Sequence, residues 1–444
     1  MYENIEINIR NNFENSKQVL SNLKKIGRIN NDMQYDVFLE LLNHKSKEVR
    51  IEAIKNLGKF SGSYIEQSLI QQYKDERNSM AKRECVSSLG RQRSEDLIDF
   101  FIEVLKVKDP KIILQAIRAL LVFKKNDNVK EALKEVRNHP NEMIQEVLDI
   151  ELSKRTARPE EKHTFVKPYL KNVAVKGDVL DILKQLTSES FHLTFTSPPY
   201  YNARDYSLYK SYQEYLGFLR KVFKETHRLT KNGRFLIVNT SPVIVPRFSR
   251  NHSSKRYPIP FDIHNFLMKD GWEFIDDIVW QKPEFSVKNR VGGFMQHKKP
   301  LGYKPNCTTE YIMVYRKKSR DLIDWNIKQY DYETVSKSKV NEKFETTNVW
   351  NIDPTFDKTH SAVFPKSLCE RVIKYYSYVG DLIFDPFSGS GTLGQVAIEN
   401  QRNCFLTEID TTYFERIKER LSNSKKTIKY FKLEEFSKWI KQDN

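Results

Sequence analysis

An apolar triplet, Leu382-Ile383-Phe384, runs directly into Asp385-Pro386-Phe387-Ser388-Gly389-Ser390-Gly391-Thr392, and a helical pattern follows through Ile398. That order is strand, glycine turn, helix start. It points to an α/β sheet whose ligand meets the carboxyl end of a strand. Gly389 and Gly391 let a bulky ligand approach the backbone, and Asp385 can accept a hydrogen bond from a cationic amino group. The glycine pair by itself suits any nucleotide fold or a plain turn. A phosphate-cradling P-loop is set aside, because Gly391 leads to Thr392-Leu393 and no lysine follows. A second strand, Cys404-Phe405-Leu406, ends at Thr407-Glu408, placing an acid about 20 residues past the glycines, where ribose hydroxyls are commonly held.

The same rhythm extends from Tyr169 onward. Strand candidates are Val173–Val175, Leu193–Phe195, Phe235–Val238, Ile275–Trp280, Tyr311–Tyr315, Ile383–Phe384 and Asn403–Leu406, with amphipathic helices between several of them, such as Gln213–Arg228 and Pro365–Tyr378. A doubly wound, mostly parallel Rossmann-like sheet is the expected architecture. Phe191, Leu193 and Phe195 alternate into Thr196-Ser197-Pro198-Pro199-Tyr200, and two prolines can neither continue a ladder nor sit in a helix interior. The chain must leave the sheet there. Two fixed φ angles hold Ser197, nearby carbonyls and the Tyr200 ring as a rigid edge, suited to a planar base with an amino group.

Residues from about 34 to 152 repeat. Ala53-Ile54 with Leu57, Cys85-Val86 with Leu89, Ala116-Ile117 with Leu120, and Val147-Leu148 recur at steps of 32, 31 and 31 residues. Each unit reads as two short helices whose apolar stripe is covered by the next, an all-α HEAT-like array over 1–155. Residues 156–168 read as a linker, 169–430 as the α/β domain, and 431–444 as a C-terminal tail. DNA contact, protein docking and support of the second domain all suit the array.

Charge narrows the partner. The 444 residues carry 74 Lys plus Arg against 58 Asp plus Glu, a net +16, which favours DNA, RNA or an acidic membrane surface. No apolar run reaches the length of a spanning helix, and Met1-Tyr2-Glu3-Asn4 begins neither a signal nor a transit peptide, so a cytoplasmic protein is expected. Cys85, Cys307, Cys369 and Cys404 lack any CxxC spacing and read as structural thiols, and no histidine pair has metal-ligand spacing.

Taken together, Ser197-Pro198-Pro199-Tyr200, the Asp385–Thr392 loop, Glu408 and the run His360–Leu368 resemble the amino-methylating DNA methyltransferases. The resemblance covers about residues 169 to 425. In that family a Ser-Pro-Pro-Tyr form is more typical of cytosine-N4 enzymes and Asp-Pro-Pro-Tyr of adenine-N6 enzymes. A cysteine-dependent cytosine-C5 enzyme does not fit, since Tyr200 follows the prolines. The catalytic motif precedes the cofactor motif by 188 residues, counting from Ser197 to Asp385, which is similar to the permuted beta group.

The resemblance implies S-adenosyl-L-methionine as cofactor, duplex DNA as substrate, and Ser197, Pro198, Pro199 and Tyr200 as catalytic residues. It implies cofactor contacts from Asp178, Thr196, Phe364, Pro365, Asp385, Phe387, Gly389, Gly391, Thr392 and Glu408. Lys288, Arg290, Lys298 and Lys299, in a basic glycine-containing loop, are candidate phosphate contacts, with Arg247, Arg250 and Lys255 added. Target recognition is assigned to about 318–357. A bacterial restriction-modification setting, with a cognate endonuclease as partner, is the expected context. The expected activity is methylation of cytosine N4 in duplex DNA; an adenine-N6 DNA methyltransferase, an RNA methyltransferase and an inactive DNA-binding or scaffold protein are the competing readings.

Overall fold

The structure, a computed structural model, describes residues 2–27, 34–153, 162–201, 209–245, 249, 251–252, 254–287, 300–301, 305–355 and 364–443. It divides into two compact units, 1–157 and 158–444.

Ten α-helices are described in the first unit. They are α1 (Tyr2–Asn11), α2 (Ser16–Lys24), α3 (Asp36–Leu41), α4 (Lys47–Leu57), α5 (Ser63–Asp75), α6 (Ser79–Gln92), α7 (Ile98–Val104), α8 (Pro110–Leu120), α9 (Asp127–Glu135) and α10 (Glu142–Leu152). Short polar side chains start them: Asn78 accepts from Met80 N and Ala81 N at 3.0 and 3.2 Å, and Ser46, Asp109, Asn126 and Asn141 cap α4, α8, α9 and α10 in the same way. Each such cap contributes about 1 kcal/mol. The repeated apolar triplets fall at matching places in α4, α6 and α8, with Leu148 in α10, and all are buried in one core. Along that row α4 packs on α6, and α6 on α8. Arg50 of α4 pairs with Glu76 at the end of α5 at 2.7 Å, and that bond holds the Glu76 carboxyl down at about 2.

The second unit begins with β1 (Val173–Lys176), α11 (Val179–Leu183), β2 (Phe191–Thr196), α12 (Tyr212–Leu229) and β3 (Thr230–Thr240). A small antiparallel pair, β4 (Val243–Val245) and β5 (Lys255–Tyr257), then α13 (Ile259–Lys269), β6 (Trp272–Gln281) and β7 (Thr309–Lys317) follow. Next come α14 (Ile323–Ile327), α15 (Tyr332–Lys337), β8 (Val349–Asn351), α16 (Lys366–Tyr376), β9 (Leu382–Asp385) and α17 (Thr392–Glu399). The chain ends with β10 (Asn403–Glu408), α18 (Thr411–Leu421), β11 (Lys429–Lys432) and α19 (Leu433–Asp443).

Among the described residues nine strands make one sheet in the order β11-β1-β10-β9-β2-β3-β7-β6-β8. Every neighbouring pair from β11 to β3 is parallel, and β7 runs antiparallel to both β3 and β6. The central strands are covered on both faces, which is why β2 and β9 are buried along their whole length. Leu193 and Phe195 enter the layer shared with α16, α17 and α18. Phe191 enters the opposite layer and stacks on Phe384, ring centroids 4.4 Å apart. A register shift between Phe191 and Leu193 in the β2–β3 pairing accompanies this change of face.

At the amino ends of the strands a buried charge network closes the sheet. Arg234 pairs with Asp381, Tyr330 Oη donates to Asp381 Oδ1 at 2.6 Å, and Tyr378 N donates to Oδ2 at 2.8 Å. Burial alone would raise the Asp381 carboxyl, but the Arg234 charge outweighs it and the group sits below its ordinary range. His192 lies against the same cluster and is held neutral, its pKa driven down to about 3 by burial. Its Nδ1 accepts from Leu382 N at 3.2 Å, which leaves Nε2 to donate to the His163 carbonyl at 3.1 Å.

Several sequence expectations are corrected here. The segment 431–444 is no tail: β11 is the edge strand beside β1, and Phe436 and Ile440 of α19 are buried in the core. Residues 162–168 are no linker, since Val166 is buried with Leu170 and His163 meets Trp325 and His192. Much of 318–357, read as the target-recognition region, serves the amino ends of the strands. Asn326 Nδ2 donates to the Asn232 carbonyl at 3.0 Å, Tyr330 joins the Asp381 network, and Ser338 Oγ accepts from Val379 N at 2.9 Å. Its closing part forms β8 beside β6. Cys85, Cys369 and Cys404 are buried, but Cys307 is exposed and is not a core thiol.

Candidate active site

The carboxyl ends of β1, β2, β9 and β10 open into a cavity of about 660 Å³, a size usual for a cofactor pocket. β2 delivers Ser197, Pro198, Pro199 and Tyr200 to its wall; β9 delivers Asp385, Phe387 and Gly389; β10 delivers Glu408; the turn after β1 delivers Asp178. Phe364 completes the wall and is stacked on Phe195 at 4.6 Å, so the strand core continues into the pocket as an aromatic surface.

The loop after β9 is tied down at each step. Ser388 N donates to the Thr407 carbonyl at 3.1 Å, Thr407 Oγ1 to the Pro386 carbonyl at 2.8 Å, and Arg420 Nε to the Ser390 carbonyl at 2.8 Å. Gly389 N donates to Glu408 Oε2 at 2.8 Å, and Asp410 N donates to Oε1 at 2.9 Å, which fixes the carboxylate plane. Gly391 has φ 77°, a left-handed conformation that starts α17, and a Cβ there would lie 3.1 Å from Ile417 Cγ1. Only glycine combines that turn with so close a helix.

Two carboxyl groups in the cavity are desolvated. Asp385 is pushed up to about 7 by burial, against the pull of hydrogen bonds from Thr196 Oγ1 and Phe387 N. Glu408 is likewise pushed up to about 7 by burial, its backbone donors offsetting part of the effect. Thr392 Oγ1 is buried on the cavity wall with no partner among the described residues. A site with two desolvated acids and an orphaned hydroxyl is matched by a ligand that brings positive charge and hydroxyl groups.

The structure sorts the sequence candidates. Thr196 does not line the cavity: it is fully buried beneath it and bonds Asp385 at 2.7 Å, so it acts on that carboxylate and not on a ligand. Pro365 and Gly391 are also off the wall, Pro365 starting α16 and Gly391 starting α17. Asp178 lines the cavity and also caps α11, accepting from Leu180 N at 2.8 Å. Lys288, Arg290, Lys298, Lys299, Arg247, Arg250 and His360–Val363 lie outside the described residues. Sequence reading passed over Tyr209, Phe218 and Ile409 as wall residues. Tyr413, in the helix after Glu408, also lines the wall.

Tyr200 is braced from the side. Its hydroxyl lies 3.4 Å from Glu310 Oε2, which accepts from Asn239 Nδ2 at 2.8 Å, while Oε1 pairs with Lys282. The Lys282 ammonium also sits over the Trp280 ring at 4.5 Å.

Residues 191–419, just over half of the chain, match the family model described as DNA methylase. The chain belongs to that DNA methylase family. The Type II methyltransferase M.SmaI of Serratia marcescens is 29% identical over 280 residues, covering 56% of this chain and 89% of the relative. The Type II beta methyltransferase M.BslI of Bacillus sp. is 27% identical over 263 residues, 55% of this chain, which span about a quarter of that relative's length (27%). Among solved structures, the cytosine-N4-specific PvuII DNA methyltransferase is similar over 63% of this chain and 95% of its own, with 19% identity and a TM-score of 0.43. The family's methyl donor is S-adenosyl-L-methionine, and the acids and orphaned hydroxyl of the cavity fit it. Among the described residues no helix is long and apolar enough to cross a membrane.

Proposed function

We propose that this DNA methylase methylates the exocyclic N4 amino group of cytosine in duplex DNA, taking up a base rotated out of the helix. The observation that carries the reading is that Ser197-Pro198-Pro199-Tyr200 and the acids Asp385 and Glu408 share one cavity, although 188 residues separate Ser197 from Asp385. S-adenosyl-L-methionine, when bound, supplies an electrophilic methyl group. Asp385 would receive its amino group, Glu408 its ribose hydroxyls, and Phe364 would wall the methionine end. Asp178 would face the adenine.

The protein's own task is orientation. The lone pair of an exocyclic amino nitrogen is delocalised into the ring, so the base must be held with that nitrogen aimed and its hydrogens bonded to acceptors. Ser197 Oγ and the Pro198 carbonyl are those acceptors, Pro199 fixes the edge, and the Tyr200 ring stacks on the base. A serine hydroxyl is too weak an acid to exist as a base at neutral pH, so the amino proton leaves to solvent. Ser in the first position of the motif favours cytosine over adenine.

The order of the two motifs supports placement in the permuted beta group. The stacked pairs α3–α4, α5–α6 and α7–α8 support a HEAT-like reading of the first unit. The Type II names of the relatives support a restriction-modification role beside a cognate endonuclease, in the cytoplasm. Lys288, Arg290, Lys298 and Lys299 are kept as phosphate contacts on charge alone.

The test is methyl transfer to mixed-sequence DNA by the full chain and by Ser197→Ala and Tyr200→Ala, with cofactor affinity followed by calorimetry. The reading expects both variants to bind cofactor like the wild type and to lose at least about tenfold in rate. Full activity in either variant would overturn its role.

A further inference from the structure

Phe285 exposes 87% of its surface. A single exposed aromatic residue needs no explanation by itself. What marks this one is that its backbone is fixed and its neighbours brace the Tyr200 ring. Residues 284–286 form one 3₁₀ turn, Ser286 Oγ donates to the Pro283 carbonyl at 2.7 Å, and Asn306 Nδ2 holds Glu284 Oε1 at 2.8 Å. Just before the turn, Lys282 N donates to the Thr308 carbonyl at 2.7 Å and the Lys282 side chain pairs with Glu310. Glu310 in turn meets the Tyr200 hydroxyl at 3.4 Å.

Three peptide steps separate Lys282 from Phe285, a reach of at most about 11 Å. The Phe285 ring is therefore exposed to solvent on a fixed turn whose backbone lies within that reach of Lys282, the residue that pairs with Glu310 behind Tyr200. Glu284, the acid beside it, is engaged by Asn306.

We propose that Phe285 is a wedge that enters the base stack of duplex DNA as the target base leaves it. The inference rests on the methyltransfer reading above. A base inside a duplex is out of reach of any cavity, and leaving the stack costs a few kcal/mol, which an inserted apolar side chain offsets. An aromatic face stacks on any base, so Phe285 acts on opening and not on sequence choice. The brace through Lys282 and Glu310 gives wedge and stacking platform a fixed spacing, so that the ring entering the helix and the ring receiving the base move as one body.

The experiment compares wild type, Phe285→Ala and Phe285→Trp on two short duplexes that carry a site mapped beforehand from methylated mixed-sequence DNA. In one duplex the target base is paired; in the other it faces an abasic position and is already unstacked. On the paired duplex Phe285→Ala is expected to lose about 10- to 100-fold in kcat, and Phe285→Trp to stay within about threefold of wild type. On the abasic duplex all three converge to within about threefold. An alanine variant as fast as wild type on the paired duplex, or one equally impaired on both, overturns the wedge. Wild-type protein that methylates neither duplex overturns the methyltransfer reading itself, and with it the wedge.

Discussion

Thr196 Oγ1 donates to Asp385 Oδ1 at 2.7 Å, joining the last residue of β2 to the last residue of β9 across 189 positions of sequence. The loop proposed to hold the base and the loop proposed to hold the cofactor are thus fastened to each other by one buried bond. Removing it leaves a desolvated carboxyl with one donor fewer, and a hydrogen bond to a charged group is worth about 1.5–3 kcal/mol. Thr196→Val is expected to weaken S-adenosyl-L-methionine binding at least about tenfold, and Thr196→Ser to restore it. Calorimetric titration of both variants decides this, and unchanged affinity in the valine variant would contradict the coupling.

The acids of the cavity make cofactor binding depend on pH. Burial lifts Asp385 and Glu408 to about 7, above their values in an unfolded chain. Between about pH 4 and 7 the folded cofactor-free protein therefore holds protons that the unfolded chain has released, and its stability falls as pH rises through that window. A cationic ligand favours the ionised carboxylate, so binding releases protons near about pH 6 and few above about pH 8. Titrations in two buffers of different ionisation enthalpy read that release; identical heats at the lower pH would contradict it.

Gly391 is required by geometry and Gly217 is not. Alanine at Gly391 meets both the φ of 77° and Ile417 at 3.1 Å, whereas Gly217, inside α12, has open space around its missing Cβ. Gly391→Ala is expected to cost about 1–3 kcal/mol. Gly217→Ala is expected to add up to about 1 kcal/mol. Urea unfolding of the two variants gives opposite signs; equal effects would contradict the assignment.

The network at the amino ends is a stability element remote from the chemistry. Arg234→Met strands Asp381 in the core, a loss of about 3–5 kcal/mol, while Arg234→Met with Asp381→Asn, which removes the stranded charge and keeps an acceptor for Tyr330 or Tyr378 N, recovers part of it. Cofactor affinity of the double variant, measured beside its urea midpoint, is expected to stay near wild type.

The strands and both loops were legible because each announces itself locally: an apolar run ends, and proline, glycine or acid follows at once. The turn carrying Asp385, Gly389 and Gly391 and the acid at Glu408 are such signals. β11 was missed because Lys429-Tyr430-Phe431-Lys432 is short and charged at both ends, and its burial comes only from pairing with β1. α19 did carry a signal, Leu433, Phe436 and Ile440 on one helical face, passed over because it stood at the end of the chain. The 318–357 segment misled for a different reason. Its polar composition looks like a surface region, yet Asn326 and Tyr330 are buried by satisfying hydrogen bonds with distant residues, Asn232 and Asp381, which no local pattern reveals. Thr196 belongs to the same class: its partner is known only once β2 and β9 lie side by side.

Amino-methylation of DNA at cytosine N4 is decided by identifying the product. The full chain is incubated with mixed-sequence duplex DNA and methyl-labelled S-adenosyl-L-methionine, the DNA is digested to nucleosides, and the labelled species is identified by mass spectrometry. Label in N4-methylcytosine is the predicted result; label in N6-methyladenine would contradict the choice of base read from Ser197, and unlabelled DNA would contradict the account as a whole.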